Sequence, residues 1–565
     1  MENKPQGSTL GAFKFLLPAV DGYIVRNDII QRRFLTCELA EEVVDFSTTG
    51  AKIAAFRYDR SPGSVLKEAM NSAVGVICVK PSPENMERLE TEIQARLAFP
   101  WIVDKPLPRR RLALIDGKGY PHRSTGNLGI YRAAKALGVE LVVVNKEGHW
   151  AQEDAIASEW RDEFLPCDIT PDAGLPDRIV ASLSNLQRPV DCITTYTDGL
   201  LPAVAKAAEK MGLFTNPSTA VDICNEKHRT RELAPEVNGG VVSFTAKTAA
   251  DLERLLKDKT LQFPLVEAIT QNQLNFPGTT SMIETHICGP EVDANFVLMD
   301  GEVLFSEIND DFPSTADTDE HGNRYFPPSV PPSFAELSTI IPSILPTDEI
   351  ALLKSTLSQT LLRLGFRYGI FHLEARIVNS RMHFSNTPDG LDLVPRDNIR
   401  DGTPEPRVFL VEINPRAPGH RETIAIEYIY GIDYWALHML SALPKGSAAP
   451  DDEETLAINT IMRSLSHPLA EEIQYPIYVG FIPTKQDGKM VSSNLDNLPE
   501  ELAKYVVESR VHIEKGQMCK AQGQDGEWPF VAFINVAAKM TGAEGRLQAR
   551  TMGERVTEAF KYVVE

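Results

Sequence analysis

The sequence predicts a multidomain protein of mixed α/β and α+β class, in which a doubly wound parallel α/β domain precedes a mainly antiparallel region. Two observations support this prediction. Between residues 111 and 211, apolar β-rich runs alternate with helical stretches, which is the pattern of a parallel sheet covered by helices. Further along the chain, Asp300-Gly301 joins two apolar runs, and this dipeptide favours a tight antiparallel hairpin.

The alternating region contains the elements predicted for the parallel domain. We expect strands at residues 111–115, 140–144 and 192–195 and helices at residues 127–137, 177–186 and 200–211. Gly117 and Gly119 follow the first strand, but His122 stands where a dinucleotide-binding turn has its third glycine, so a nicotinamide site has little support. Since ligands of such sheets bind beyond the carboxyl ends of the strands, this loop and Thr197-Asp198 are expected to border a substrate cleft.

A polar motif on a predicted strand gives the first indication of chemistry. Residues 408–411 form an apolar run, and Glu412, Asn414 and Arg416 follow at alternate positions, so their side chains point to one face. A carboxylate and an amide oxygen suit Mg²⁺, and an arginine can hold a phosphate or a carboxylate through two hydrogen bonds. The alternative is an edge strand with three solvated polar side chains.

A second acidic strand supports the site. Glu374 lies in a short β-rich run, and the polar stretch at residues 386–407 is predicted to be a surface loop that joins this run to the strand of Glu412. As an antiparallel pair, the two strands would bring both glutamates to one cation or to two, as in phosphoryl transfer. Considered alone, Glu374 is better explained as an exposed strand carboxylate.

A third segment lies upstream, where residues 281–284 lead into Gly289-Pro290 and a strand-like run. We expect backbone groups near Glu284 and Ile287 to contact the edge of an adenine. We expect the Glu291 carboxylate to accept hydrogen bonds from ribose hydroxyls. The alternative is an ordinary hairpin with exposed acids.

In their order along the chain, these segments resemble the ATP-grasp superfamily: a Glu-x-x-Ile-x-Gly-Pro-Glu hinge, an acidic strand and a Glu-x-Asn-Pro-Arg strand. Residues 225–233 are similar to the family's helix with a nucleotide-contacting lysine, here Lys227, although an ordinary charged helix face would look the same. The resemblance covers residues 109–445 and implies an ATP-grasp fold preceded by the parallel α/β domain. Residues 414–419 most resemble carboxylate–amine ligases of the L-amino acid ligase and carnosine synthase kind.

The resemblance implies an ATP-dependent ligase that forms an amide bond. ATP would phosphorylate a substrate carboxylate to an acyl phosphate, and the amine of an amino acid or another small metabolite would displace the phosphate. Catalysis would consist of positioning and charge neutralisation, without a protein nucleophile. The implied residues are Lys227, Glu284, Ile287 and Glu291 for ATP, Glu374, Glu412 and Asn414 for Mg²⁺ (with Mn²⁺ as an alternative), Arg416 for the acyl phosphate, and His420 and Arg421 for a substrate carboxylate. A structural role for His420 is an equal alternative.

The chain departs from the family pattern after Val266. Family members continue such a strand with a Lys-Pro pair and a glycine-rich loop that covers the ATP phosphates, but neither occurs between Val266 and Gly278. The backbone N–H groups and the lysine of that loop supply much of the positive field around a triphosphate. The competing hypothesis is therefore a non-catalytic nucleotide- or metabolite-binding member, or an inactive shortened variant.

The predicted domains are an N-terminal accessory segment (1–105), the parallel α/β domain (106–224), the ATP-grasp domain (225–445) and a strand-rich C-terminal domain (446–565). A net charge of −21 argues against binding to nucleic acids or anionic membranes. The resemblance implies that the partners are small carboxylates and amines. Seven scattered cysteines, and no apolar run long enough to span a bilayer, favour a cytoplasmic location. A homodimer remains an open alternative.

Overall fold

A computed structural model of the 565-residue chain describes residues 12–57, 65–233, 243–246, 251, 254, 281–284, 287–319, 321–397, 404–444, 452–521 and 530–565. The predicted shortening after Val266 lies outside the described residues. Within those ranges, no helix combines the length and the apolar character that a membrane span requires.

The N-terminal region forms two small antiparallel sheets. Its elements are β1 (Ala12–Leu16), β2 (Gly22–Ile24), α1 (Ile29–Arg33), β3 (Ala40–Asp45), β4 (Lys52–Ile53), α2 (Val65–Ser72), β5 (Gly75–Val79), α3 (Pro83–Leu97) and β6 (Ile102–Val103). Strand β5 lies between β1 and β3, and β2 lies between β4 and β6. Helix α3 begins with a proline, and Ser82 caps it by accepting a hydrogen bond from the N–H of Asn85 at 2.9 Å.

A four-stranded parallel sheet confirms the predicted α/β domain. The elements of this region are β7 (Arg111–Ile115), α4 (Thr125–Leu137), β8 (Glu140–Asn145), α5 (Asp154–Ala157), β9 (Glu163–Pro166), α6 (Leu175–Ser184), β10 (Cys192–Thr194), α7 (Leu201–Met211), α8 (Ser218–Cys224) and α9 (Lys227–Leu233). The strand order is β10-β7-β8-β9. Leu112 shares a buried cluster with Ile130 of α4, whereas its neighbour Ala113 shares another with Leu175 of α6. Helices therefore cover both faces, because successive strand residues point to opposite sides.

The central and C-terminal regions share one large antiparallel sheet. The central elements are β11 (Ser243–Ala246), β12 (Ser281–Glu284), β13 (Glu291–Met299), β14 (Glu302–Asp311), β15 (Ser338–Ile341), α10 (Thr347–Leu364), β16 (Gly369–Val378), β17 (Met382–Thr387), β18 (Gly390–Pro395), β19 (Arg407–Asn414), α11 (His420–Tyr430) and α12 (Tyr434–Ala442). The C-terminal elements are α13 (Glu453–Leu465), β20 (Ile477–Pro483), β21 (Gly488–Ser493), α14 (Glu500–Ala503), β22 (Val506–Val511), β23 (Met518–Cys519), β24 (Phe530–Ala537), α15 (Gly542–Ala559) and β25 (Tyr562–Val564). The sheet order is β19-β16-β13-β14-β15-β20-β24-β22, so strands after residue 446 continue the sheet of the predicted ATP-grasp motifs.

Two turns test the hairpin predictions. Asp300 and Gly301 have φ values of 50° and 80° and join β13 to β14, which confirms the predicted tight hairpin. The predicted surface loop over residues 386–407 is partly wrong, because the end of β17 and all of β18 lie in this range and pair as a hairpin. The reason is that β17 starts earlier, where the buried Met382 and Phe384 alternate with polar residues.

Helix α4 of the parallel domain packs on α12 through a glycine. A Cβ atom at Gly129 would lie 2.6 Å from Cδ2 of Trp435, which is closer than van der Waals contact allows. The Trp435 side chain is 5% exposed, so its ring has little room to move away. The missing side chain at Gly129 therefore permits the close approach of the parallel domain to the large sheet's helices.

We expect Gly129→Ala to lower the free energy of unfolding by about 1–3 kcal/mol, because overpacking displaces a buried ring. The better helix propensity of alanine offsets up to about 1 kcal/mol of this loss. Urea unfolding followed by tryptophan fluorescence measures the change. Gly199→Ala is the control, since a Cβ atom there would meet no atom within 4 Å. Equal midpoints for the two variants would contradict the packing argument.

Buried ion pairs join the N-terminal region to α11, α12 and α4. Arg26 Nη1 lies 2.8 Å from Oδ2 of Asp433, and these side chains are 1% and 7% exposed. Arg32 Nε donates to Oε1 of Glu427 at 2.6 Å. Arg132 of α4 lies 3.3 Å from the other oxygen of Glu427 and 3.6 Å from Asp433. These five side chains, the arginine–acid network, connect three parts of the sequence.

Candidate active site

A row of polar side chains crosses four strands of the large sheet. Residues opposite each other in an antiparallel ladder point to the same face. Glu412 of β19 lies opposite Glu374 of β16, and Glu374 lies opposite Asp293 of β13. Asp293 in turn lies opposite Asn309 of β14. The sequence neighbour Leu373 is fully buried in the core on the other side, so these four polar residues share one face of the sheet.

Further polar rows lie on the same face. His372 is opposite Asn414 on one side and Asn295 on the other, and His372 Nδ1 lies 2.9 Å from Asn295 Oδ1. On the other side of the first row, Arg376 is opposite Glu291. The structure thus brings the predicted metal ligands and the predicted ribose ligand to one surface, which we call the polar face.

The two predicted metal-binding glutamates are close enough to influence each other. Burial, and then the negative charge of Glu412, raises the pKa of Glu374 to about 7. Lys227, the first residue of α9, has its ammonium nitrogen 2.5 Å from Oε2 of Glu412. Burial acts to lower the pKa of Lys227, but the hydrogen bond and charge of Glu412 outweigh it and raise that pKa. Two crowded carboxylates and the amide oxygen of Asn414 are a hard donor set that fits Mg²⁺.

Arg416 meets a residue of the parallel domain. Its guanidinium forms an ion pair with Asp198, and its Nη1 also donates to the carbonyl of Ala417 at 2.7 Å. Asp198 follows β10 at the carboxyl edge of the parallel sheet. Beside it, Thr197 donates to Oδ2 of Asp116 at 2.5 Å. The expected cleft border at Thr197-Asp198 therefore lies against the Arg416 end of the polar face.

The Glu284 carboxylate is held by an arginine that the sequence did not single out. Arg231 donates to its two oxygens at 2.8 and 3.1 Å, and to the carbonyl of Val411 at 2.9 Å. The Arg231 guanidinium also lies over the ring of Phe409, 4.8 Å from its centre. The carboxylate of Glu284 is thus held by Arg231, and the contact of its backbone with an adenine stays a prediction.

Arg376 connects the remaining predicted nucleotide residues. It forms an ion pair with Glu291, donates to Oδ1 of Asp317 at 3.0 Å, and donates to the carbonyl of Ile287 at 3.3 Å. Arg376, Glu291 and Asp317 border a cavity of about 380 Å³, which is also lined by Gly289. Sequence reasoning missed Arg376, although it follows Glu374 at the next position on the same face of β16.

The predicted substrate residues differ in their surroundings. Burial, and then the charge of Arg421, lowers the pKa of His420 to about 4, and a Cβ atom at Gly126 of the parallel domain would lie 2.7 Å from the Cβ of His420. Arg421 is 9% exposed, and its guanidinium carbon lies 4.6 and 5.0 Å from the ring centres of Phe481 and Phe533. Both residues therefore pack at interfaces between parts of the chain, and substrate binding by them stays a prediction.

A group of three carboxylates was not predicted. Asp293 of β13, Glu336 before β15 and Glu422 of α11 each have an oxygen within 4.8 Å of the other two. We call these residues the carboxylate cluster. Each comes from a distant part of the sequence, so no local pattern indicated that they meet. Asp293 is the member that lies opposite Glu374, which puts the cluster beside the predicted metal ligands.

Comparison with known proteins decides the family. A curated relative from Aspergillus fumigatus, the ATP-grasp enzyme fsqD, is 32% identical over 596 residues, covering 98% of each chain. This chain belongs to the ATP-grasp enzymes. The model of the ATP-grasp N-terminal domain matches residues 131–215. Because the alignment is longer than the 565 residues of the present chain, the relative contains segments that have no counterpart here.

Solved structures confirm the ATP-grasp fold. The L-amino acid ligase from Bacillus licheniformis has a TM-score of 0.56 at 18% identity, covering 81% of this chain and 99% of that one. Phosphoribosylglycinamide synthetase from Anaerococcus prevotii has a TM-score of 0.51 at 16% identity, covering 81% and 100%. The predicted fold class and superfamily are therefore correct, and this ATP-grasp chain is an enzyme.

Proposed function

We propose that this ATP-grasp enzyme is an ATP-dependent carboxylate–amine ligase that forms an amide through an acyl phosphate. The observation that supports it is the pairing of Glu374 with Glu412 on adjacent strands, with Lys227 against Glu412. Two carboxylates and a lysine at one point suit the handling of nucleotide phosphates. The likeness of residues 414–419 to carboxylate–amine ligases adds the reaction class.

In this mechanism the residues position and neutralise charge. Glu374, Glu412 and Asn414 would hold Mg²⁺, or Mn²⁺ as the alternative, and the bound ion would offset the phosphate charge. Lys227 contacts the ATP phosphates, since its ammonium group lies at Glu412, one of the three residues that would hold the ion. Arg416, oriented by Asp198, steadies the transferred phosphoryl group on the substrate carboxylate. The amine then displaces inorganic phosphate.

The nucleoside part of ATP is assigned to the Arg376 end of the polar face. The backbone near Glu284 and Ile287 binds the adenine edge, and Glu291 accepts hydrogen bonds from the ribose. The cavity of about 380 Å³ beside Glu291 provides room for part of a nucleotide. Arg376 acts indirectly, because it fixes the carboxylate of Glu291.

We expect Arg376→Lys to raise the KM for ATP by about tenfold while kcat changes less than about threefold. The ammonium group of lysine cannot contact Glu291, Asp317 and the carbonyl of Ile287 together, as the planar guanidinium of Arg376 does. A tenfold change in the KM corresponds to about 1.4 kcal/mol of binding free energy. Steady-state ADP release at varied ATP measures both constants. Arg463→Lys, in an exposed ion pair with Glu302, is the control. A loss confined to kcat would contradict the role of Arg376 in nucleotide binding.

The experiment that tests the ligase function is ADP release from ATP–Mg²⁺ in the presence of pooled amino acids. Hydroxylamine is added to a parallel reaction, where it converts an acyl phosphate to a stable hydroxamate. Amino-acid-dependent ADP release together with hydroxamate is the expected result. ADP release without hydroxamate would argue against an acyl phosphate.

A second candidate is nucleotide binding without turnover. It is favoured by the predicted absence of the Lys-Pro and glycine-rich loop after Val266. Calorimetry distinguishes the two candidates. ATP–Mg²⁺ binding without ADP release would support the second candidate, whereas turnover would eliminate it.

A further inference from the structure

The carboxylate cluster of Asp293, Glu336 and Glu422 has no role in the steps assigned above. Asp293 and Glu422 are both 5% exposed, so the cluster lies inside the protein. Burial, and then the charges of neighbouring carboxylates, raises the pKa of both groups well above the usual range. Keeping such groups together without a cation is costly, because buried charges are normally paired.

A buried amide gives independent evidence of a ligand. Asn309 lies opposite Asp293 in the β13–β14 ladder, so its side chain is on the same face as the cluster. Asn309 is fully buried, and its Oδ1 has no hydrogen-bond partner among the residues that the structure describes. Asp311, two residues further on this face, also has a buried oxygen without such a partner there. Since buried polar atoms nearly always have partners, these oxygens indicate a bound donor or cation.

The cluster is compact enough for one primary ammonium ion to reach all three carboxylates. Three N–H groups in tetrahedral directions, each with a hydrogen bond of about 2.8 Å, require acceptors about 4.6 Å apart. The three cluster oxygens lie within 4.8 Å of one another. Such an ion has three donors, and the cluster supplies one acceptor for each of them.

The local charge also suits a cation. Arg421 acts on both glutamates of the cluster, and Arg416 acts on Glu422. A bound ammonium ion would add a third positive charge beside the three carboxylates.

We propose that the carboxylate cluster is the subsite for the amine substrate, which binds there as an ammonium ion. This inference rests on the proposed ligase function. The cluster is suitably placed, because Asp293 lies beside Glu374, and the charge of Arg416 acts on Glu422. The amine is thereby held next to the carboxylate that ATP activates.

Amide formation in this subsite consumes the acyl phosphate and releases inorganic phosphate. The ammonium ion gives one proton to a cluster carboxylate, and the nitrogen lone pair forms a C–N bond with the acyl carbon. The bond between that carbon and the phosphate oxygen breaks, and its electron pair leaves with inorganic phosphate. The second proton lost from nitrogen passes to the departing phosphate. The products are a neutral amide and hydrogen phosphate.

Glu422→Gln and Glu336→Gln test the subsite in the full chain. Each variant receives ATP, Mg²⁺ and pooled amino acids, with or without hydroxylamine, which is uncharged at neutral pH and needs no ammonium subsite. We expect amide formation to fall by at least about 100-fold, as for loss of a proton acceptor. Hydroxamate formation should fall by less than about threefold. Glu302→Gln, which removes an exposed carboxylate from β14, is the control and should retain both activities.

Other outcomes overturn the proposal. Equal losses of amide and hydroxamate would assign the cluster to carboxylate activation or to folding. Amide formation within threefold of the wild type would remove the amine from this subsite. Fewer Mn²⁺ ions bound per chain in Glu422→Gln, measured by electron paramagnetic resonance, would make the cluster a metal site instead. A wild-type enzyme without hydroxamate would refute the ligase function, and this inference with it.

Discussion

Glu412→Gln is expected to lower ATP-dependent hydroxamate formation by about 1,000-fold or more. The substitution removes a charged ligand from the proposed Mg²⁺ site and also releases Lys227, whose ammonium nitrogen lies 2.5 Å from the Glu412 carboxylate. Both the metal and the lysine act on phosphate charge, where the loss of one preorganised group alone costs about 100- to 1,000-fold. Single-turnover assays with ATP, Mg²⁺ and pooled amino acids measure the effect.

The control for this substitution lies just ahead of the same strand. Glu405 is exposed, so Glu405→Gln removes an equal charge without touching the polar face and should retain full activity. Thermal unfolding of both variants should match that of the wild type within a few degrees. If Glu412→Gln retained more than a tenth of the wild-type rate, Glu412 would not be a metal ligand.

Arg26→Met is expected to lower the free energy of unfolding by about 3–5 kcal/mol, which is the usual cost of breaking a buried ion pair. Arg26 is 1% exposed and lies 2.8 Å from Asp433, so its loss leaves a carboxylate buried without its closest cation. Urea unfolding measures the change. Arg57→Met, in a pair that is 82% and 53% exposed, should cost less than about 0.5 kcal/mol. Similar losses for both variants would contradict a special role for burial.

The same pair predicts the pH dependence of stability. Burial acts to raise the pKa of Asp433, but Arg26, Arg132 and Arg32 outweigh it and lower that pKa to about 2. A carboxyl with a lowered pKa in the folded state stabilises the protein above its unfolded pKa of about 4, and this contribution disappears as the pH falls toward 2. Stability curves at pH 2–6 should therefore be flatter for Arg26→Met than for the wild type.

Local patterns predicted the parallel domain well. Its strands are buried runs such as β7 and β8, and its helices are separated from them by short turns, so composition and periodicity carry the information. The hairpin at Asp300-Gly301 was equally predictable, because both residues adopt the positive φ that this turn needs. The β17–β18 hairpin was missed because the second half of β17, around Asn386 and Thr387, is polar.

The site could be predicted only where its residues share a strand or a motif. Glu412 and Asn414 are alternate residues of β19, and Glu374 lies opposite Glu412 as expected. Arg416 comes two residues after the strand ends, so the predicted strand face extends only to Asn414. Asp198 was expected near the cleft, but its ion pair with Arg416 could not be predicted. The pair joins two domains, and the sequence around neither residue indicates the other. The carboxylate cluster likewise depends on a register between strands and on a helix that returns to the sheet.

The continuity of the large sheet has a consequence for synthesis of the chain on the ribosome. Strand β15 pairs on one side with β14, but its other edge is completed only when Ile341 meets Ile477 of β20. At about 5–20 residues per second, the growing chain keeps that buried edge uncovered for on the order of ten seconds. Helix α11 gains one of its contacts later still, because Asn535 of β24 donates a hydrogen bond to the carbonyl of Arg421 at 2.9 Å. A prematurely terminated chain would therefore be inactive and prone to aggregate, and nascent chains of this enzyme should depend on chaperones.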